Sequence, residues 1–425
     1  MFRLFPLVAL FGVVAAVAPG DSPADEKKPD PASTKSAPTI TWKKTILDRK
    51  FRSEGVATAD VNKDGKIDVM NGEYWYEAPD WTPHEMQPPM DHKDGLGNYS
   101  RVFACWAEDL NGDGYADLIV IDFPGAPAYW MENPKGKATG EDAKPLHWKK
   151  HTIWHSACNE TPIYTDVFGD KKRVLVMGYQ PDGKNTAGNE GRMAYFTPDP
   201  KDPNAKWAAH PLSDPAKPGA PGTGRFSHGL GVGDLNGDGR NDVLCTAGWW
   251  EQPEKPDGKT PWEFHAAPLG QECADMFVYD VDGDGRNDVL STSAHKFGVW
   301  FHKNGLDQKT KQPVWSTTTL FGMLVSETHA AHFVDIDGDG QKDLVTGKRW
   351  WSHGRGEPGS SWNAPIYYFK ATKNADKVTS FFPVMIDEDA GIGTQFEVAD
   401  INGDGFPDVV VSNKKGVCVI VQQRK

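Results

Sequence analysis

The nonapeptide DVDGDGRND at Asp280–Asp288 decides how the chain is read, because five other segments share its pattern, Asp-x-(Asp/Asn)-x-Asp-Gly-x-x-Asp. They start at Asp60 (DVNKDGKID), Asp109 (DLNGDGYAD), Asp234 (DLNGDGRND), Asp335 (DIDGDGQKD) and Asp400 (DINGDGFPD). A seventh, degenerate copy starts at Asp166 (DVFGDKKRV) and has lost the ligand-type residues at positions three and nine and the glycine at six. Successive starts fall 46 to 68 residues apart, the spacing of a structural repeat.

Short β-like runs flank the copies. Val56–Ala59, Leu230–Gly233, Met276–Tyr279, Phe333–Val334 and Phe396–Ala399 lead in, and Asp68–Met70, Asp117–Ile121, Asp288–Leu290 and Asp408–Val411 lead out. Strand, tight polar loop, strand is a hairpin. A further strand is visible in AYWMENP, MAYFTPD, GVWFHKN and IYYFKAT. Another opens at an aromatic residue: Trp42, Trp81, Trp148, Trp207, Trp262, Trp315 and Phe381 precede their loops by 18 to 28 residues. Four strands per repeat, seven repeats and no helical periodicity predict an all-β fold, a seven-bladed β-propeller. The last repeat lacks its outer strand, and Thr41–Leu47 supplies one from the other end of the chain. Pairing Thr41–Leu47 with Val417–Ile420 closes the ring and removes an exposed edge.

Upstream of the repeats, Leu4–Ala18 is an apolar run behind a single Arg, with small residues at Ala16, Ala18 and Gly20. Residues 1–20 therefore read as a secretory signal peptide. Residues 21–39, rich in Lys, Asp, Pro, Ser and Ala, read as a disordered leader, and 40–425 as the propeller. The expected location is secreted or periplasmic, with no membrane span after signal cleavage. Five cysteines are too few for a disulfide framework, and Cys158 with Cys273 remains an open pairing. A formal net charge of −13 argues against nucleic acid and anionic membranes as partners.

The loops carry their own chemistry. Carboxylates at positions one, five and nine, Asp or Asn at three and a turn glycine at six converge hard oxygens on one cation, and calcium takes 6–8 such oxygens. The expected ligands are Asp60, Asn62, Asp64 and Asp68; Asp109, Asn111, Asp113 and Asp117; and Asp234, Asn236, Asp238 and Asp242. They continue with Asp280, Asp282, Asp284 and Asp288; Asp335, Asp337, Asp339 and Asp343; and Asp400, Asn402, Asp404 and Asp408. One such loop alone reads as a polar turn, but six in register predict Ca2+. The loop at Asp166 should bind none, since Phe168 and Val174 replace two ligands.

These loops closely resemble the FG-GAP (VCBS-type) calcium repeat of integrin α-subunit propellers and of many exported bacterial proteins. The resemblance implies calcium on one face of the ring and ligand binding on the other. A narrower stretch, SHGLGVGDLNGDGRNDVLCTAGWWEQP (Ser227–Pro253) with ETHAAH (Glu327–His332), is similar to the propeller of aldos-2-ulose dehydratase, a sugar lyase. That enzyme's cupin portion has no counterpart here.

Register locates the opposite face. Six residues before each loop start stand Glu54, Phe103, Glu160, His228, Ala274, His329 and Thr394. Glu54, Glu160, His228 and His329 are thus expected at one height around the axis, bordered by His295 and Lys348 at the ends of second strands. Neutral imidazoles with a carboxylate can hold Zn2+ or a similar ion with an open position, or act as acid and base. Trp75 and the pairs Trp249-Trp250 and Trp350-Trp351 offer flat faces suited to sugar rings, although in a propeller such residues more often pack between blades. Two functions follow. One is a carbohydrate lyase in which a His removes a proton next to a keto-sugar carbonyl while a metal, Lys348 or Arg349 stabilises the enolate. The other is a non-catalytic module binding a glycan or protein surface.

Overall fold

The computed structural model describes residues 39–184, 188, 190–310 and 312–425. The readings of a signal peptide at 1–20 and of a leader at 21–39 fall outside these residues, apart from position 39. All regular structure among the described residues is β, and no helix there is long and apolar enough to cross a membrane. Seven four-stranded antiparallel sheets follow one another along the chain, a seven-bladed β-propeller. The first blade, for example, comprises Ala57–Ala59, Asp68–Met70, Tyr74–Glu77 and Thr82–Glu85. The seventh is composite, as expected. Ile40–Asp48 pairs antiparallel with Gly416–Arg424, Thr41 lying opposite Gln423 and Ile46 opposite Cys418.

Burial explains the strand sequences. Second strands such as Asp117–Ile121, Val174–Tyr179 and Asp408–Asn413 are buried along their whole length, so they read as continuous apolar runs rather than alternating ones. Their side chains fill the spaces between blades. Leu175, Met177 and Phe196 of the third blade, for instance, pack with Ile119, Ile121 and Trp130 of the second. Emptying one such position, as in Met177→Ala, costs about 2–5 kcal/mol. All five cysteines are buried and unpaired, so the Cys158–Cys273 bridge is not formed.

The ninth-position Asp of each intact loop has a role that the repeat pattern did not announce. Asp68, Asp117, Asp242, Asp288, Asp343 and Asp408 are fully buried. In five of them Oδ2 accepts the N–H of the second loop residue (Val61, Leu110, Leu235, Val281 or Ile401) at 2.9–3.1 Å. In all six Oδ1 accepts an N–H from the third strand or the residue just after it (Ala78, Asn133, Gln252, Asn304, Ala371 or Gln422). The amides of Asn133, Gln252 and Gln422 then bond a carbonyl of the preceding blade, at Val61, Val167 and Ile336. Loop, third strand and neighbouring blade are locked in one register.

Inner strands approach closely around the axis. A Cβ on Gly231 would come within 2.4 Å of the Met276 carbonyl, so glycine is what lets the fourth and fifth blades meet there. The first strands line an axial cavity of about 420 Å3 whose wall includes Trp106, Arg173, Asp275, Phe277, His332 and Glu397.

Candidate functional site

All seven residues six places before the loops are buried, and the chain enters each blade through them. Two entries carry backbone strain. Phe226 (φ 67°) and Glu327 (φ 54°) occupy the left-handed region that favours glycine, each two residues before a histidine, His228 and His329. Strain of this kind clusters at functional sites. Glu327 is held by its neighbours: its carbonyl accepts the Arg349 N–H, and its Oε2 accepts the Ser352 N–H, both at 2.9 Å.

The structure brings His228, His295 and His329 together. Their ring centroids lie 4.6–5.3 Å apart in edge-on arrangements, and one nitrogen from each falls within 4.8 Å of the others. Glu160 joins them, its Oε2 standing 3.4 Å from His228 Nε2 and 3.9 Å from His329 Nε2. Glu54 is brought in through Arg349, which donates Nη2 to Glu54 Oε1 and lies 3.4 Å from Glu160 Oε2 through Nη1. Burial works against the ionised form of Glu160, but His228 and Arg349 outweigh it and hold the carboxyl at about 2. Burial pushes His329 well below the usual imidazole range, and the Arg349 charge adds to the effect. His329 is therefore neutral, the form that binds metals.

His295 extends the cluster toward solvent. Glu357 Oε1 faces both His295 Nδ1 at 2.9 Å and His353 Nδ1 at 2.7 Å, and these three residues form a second group within 4.8 Å. His353 and Glu357 were missed in the sequence because they lie in the irregular 348–365 loop, where no register assigns a direction. Lys348 is placed differently from its expected position beside the histidines. Its Nζ donates to the carbonyls of Gly359, Ser360 and Trp362 and lies 3.6 Å from Glu327, so it holds the loop that carries His353 and Glu357.

The tryptophans singled out in the sequence are largely spoken for. Trp75 stacks on His84 and Trp249 on His265, both at 4.3 Å, as Trp130 does on His151. In each pair the residues face one another across the third and fourth strands, and the imidazole bonds an acid two places on, Glu77, Glu251 or Glu132. These are cross-strand packing units. Trp250 is buried, while Trp350 and Trp351 stack on each other at 4.4 Å.

On the hairpins, the first Asp of every copy organises its loop. Its Oδ2 accepts the N–H of the sixth residue in all seven, at 2.7–3.1 Å, including Lys171 in the degenerate copy. Oxygens of Asp280, Asp282 and Asp288, and of Asp335, Asp337 and Asp339, lie within 4.8 Å of one another. Lys303 reaches Asp282, and Lys370 reaches Asp337 and Asp339. Asp343 Oδ2 is buried without a hydrogen bond. An all-oxygen donor set with an orphaned buried oxygen suits a hard divalent cation.

Residues 280–346 match the family model of the FG-GAP-like repeat, and residues 392–416 match that of the FG-GAP repeat. The chain is thus a β-propeller that carries FG-GAP repeats. No curated protein matches it in sequence. Similar solved structures include the PQQ-bound aldose sugar dehydrogenase of Streptomyces coelicolor, at 12% identity and a TM-score of 0.38, covering 91% of this chain and 100% of that one. The alpha-L-arabinofuranosidase of Lactobacillus brevis matches at 15% identity and 0.33, covering 66% and 93%. The V. cholerae biofilm matrix protein Bap1 matches at 14% and 0.31, covering 72% and 45%.

Proposed function

We propose that the histidine cluster is a metal-assisted catalytic site that eliminates water from a keto-sugar. The observation that carries this reading is a concentration of buried polar atoms without hydrogen bonds. Both ring nitrogens of His228, Nε2 of His329, Oε2 of Glu54 and Nε of Arg349 are all in this state. Buried polar groups are almost always paired, so several orphans in one place imply a ligand. Support for a sugar comes from the two stretches similar to the aldos-2-ulose dehydratase propeller, Ser227–Pro253 and Glu327–His332, which contribute His228, Glu327 and His329 to this cluster.

His228, His295 and His329 would hold the ion, with Glu160 beside them. When bound, Zn2+ or a similar ion polarises the substrate carbonyl and acidifies the neighbouring C–H. Arg349 fixes Glu54 and Glu160 in place, and with His228 it holds Glu160 ionised. His353 sits at the exposed lip, and its bond to Glu357 raises its pKa from the ordinary value. It takes the proton from the carbon next to the carbonyl; that electron pair forms the C=C bond as the C–O bond on the next carbon breaks. The proton then leaves with the departing hydroxide as water.

The acidic loops belong to structural calcium in this reading, and the chain to an exported location. The test is metal analysis after chelation and reloading with calcium, followed by turnover of a keto-sugar panel. Wild type should retain or rebind about one transition ion per chain. His228→Ala and His329→Ala should lose that ion and all turnover while keeping calcium-dependent melting. Turnover that survives in both variants, or a wild type with neither ion nor turnover, removes the catalytic reading in favour of a glycan- or protein-binding module.

A further inference from the structure

On a chain with a net charge of −13, positive charge gathered in one cleft is an exception. A cleft of about 690 Å3 is lined by Arg49–Arg52 and Pro89–Asp94 and includes Lys414. Arg49, Lys50, Arg52, Lys93 and Lys414 line it, against Asp91 and Asp94. Three of the five cations are already engaged, Lys414 with the Trp351 carbonyl and Glu54. Arg52 pairs with Asp48 at 2.8 Å, and Lys93 with Asp91 at 2.5 Å. Asp94 uses Oδ1 for the Leu96 N–H. Arg49 and Lys50 are exposed and form no ion pair among the described residues.

Lys414 joins the cleft to the cluster. It is 7% exposed, and its Nζ donates to the Trp351 carbonyl at 2.7 Å and lies 4.4 Å from the Tyr99 ring centre. The same Nζ stands 3.9 Å from Glu54 Oε1, which is the partner of Arg349. Phe51, Tyr74 and His92 complete the wall, Phe51 and His92 buried and Tyr74 beneath the Arg52 guanidinium. A basic cleft with two unpaired cations suits a sugar unit that carries an anionic group.

We propose that this cleft binds the carboxylate or sulfate ester of a sugar unit adjoining the one that reacts, so that the substrate is an acidic oligosaccharide. The inference rests on reading the histidine cluster as a carbohydrate site. Carboxylate and sulfate share the recognition chemistry, and the experiment separates them.

The test measures binding rather than turnover, by calorimetry at low salt. An oligouronate, a sulfated oligosaccharide and a neutral one of equal length are titrated into the whole protein. At least one anionic ligand should bind about tenfold or more tightly than the neutral one, with affinity falling as salt rises. Arg49→Ser with Lys50→Ser should cut anionic binding about tenfold and leave neutral binding and melting unchanged. Equal affinity for neutral and anionic ligands, or no loss in the double variant, overturns the proposal. If the anionic preference and its loss are both seen but no keto-sugar is turned over, the cleft stands and the catalytic reading falls. If neutral keto-sugars are dehydrated and anionic groups ignored, the cleft alone falls.

Discussion

His295 presents Nδ1 to Glu357 Oε1 across 2.9 Å. Burial works against ionisation of Glu357, but the bonds from His295 and His353 prevail and hold its carboxyl at about 2. An ionised carboxylate only accepts, so Nδ1 of His295 carries a proton, the tautomer that offers Nε2 to an ion. Carboxylates placed in this way typically govern metal affinity by a factor of 10–100.

Glu357→Gln should therefore weaken zinc binding by about 10–100-fold without changing the melting temperature in calcium. Competition with a chromophoric chelator measures the first and thermal melting the second. Unchanged zinc affinity would detach His295 from the metal.

Chelation should lower the melting temperature and calcium restore it, because an ion that binds only the native state adds stability by mass action. Asp284→Ala and Asp339→Ala should each shrink the calcium-dependent shift. Asp166→Ala should cost the same with calcium and with chelator, since its loop lacks ligand-type residues at positions three and nine. Calorimetric scans in both buffers decide it.

Lys171 holds φ at 68°, where the other loops place glycines at 85–89°. A side chain in that region costs roughly 1–2 kcal/mol. Lys171→Gly should recover part of this, offset by the extra freedom of glycine in the unfolded chain, for a net gain of about 0.5–1 kcal/mol. Urea unfolding with an unchanged m-value would register it.

Burial raises Asp275 to about 7 and Glu397 to about 8 in the axial cavity, with Arg173 opposing the shift of Glu397. The folded state thus binds protons that the unfolded chain has released above its ordinary carboxylate range. These two groups cost nothing at pH values below about 4. Their penalty grows as pH rises toward 8 and is constant above it. Glu397→Gln should raise the melting temperature at pH 8 more than at pH 5. An equal gain at both values would show that Glu397 is ionised in the fold.

Periodicity carried most of the architecture. The spacing of the acidic loops made the blade count readable, and the missing outer strand after Asp400 pointed to Thr41–Leu47. The shared register six places before each loop put Glu54, Glu160, His228 and His329 at one height, because identical hairpins repeat the same geometry. Reading stopped where repetition stopped. Lys348 directly follows a strand, yet its four-carbon chain turns to three loop carbonyls, a choice that depends on the path of the 348–365 segment. Trp75 and Trp249 look like sugar platforms until His84 and His265 are found stacked on them, and pairing across strands requires knowledge of the register between strands.

The pairing of Ile40 with Arg424 sets a timetable for the molecule's birth. A blade that needs both Ile40–Asp48 and Gly416–Arg424 cannot be finished until the later strand has emerged, whether from a ribosome or through a membrane pore. Six sheets can form as local hairpins arrive, but the seventh waits for a contact spanning the whole propeller, the kind whose loop-closure entropy makes folding slow. Until then the three-stranded sheet of Glu397–Ala399, Asp408–Asn413 and Gly416–Arg424 shows a bare edge. For that interval the bare edge is a template for pairing with another chain.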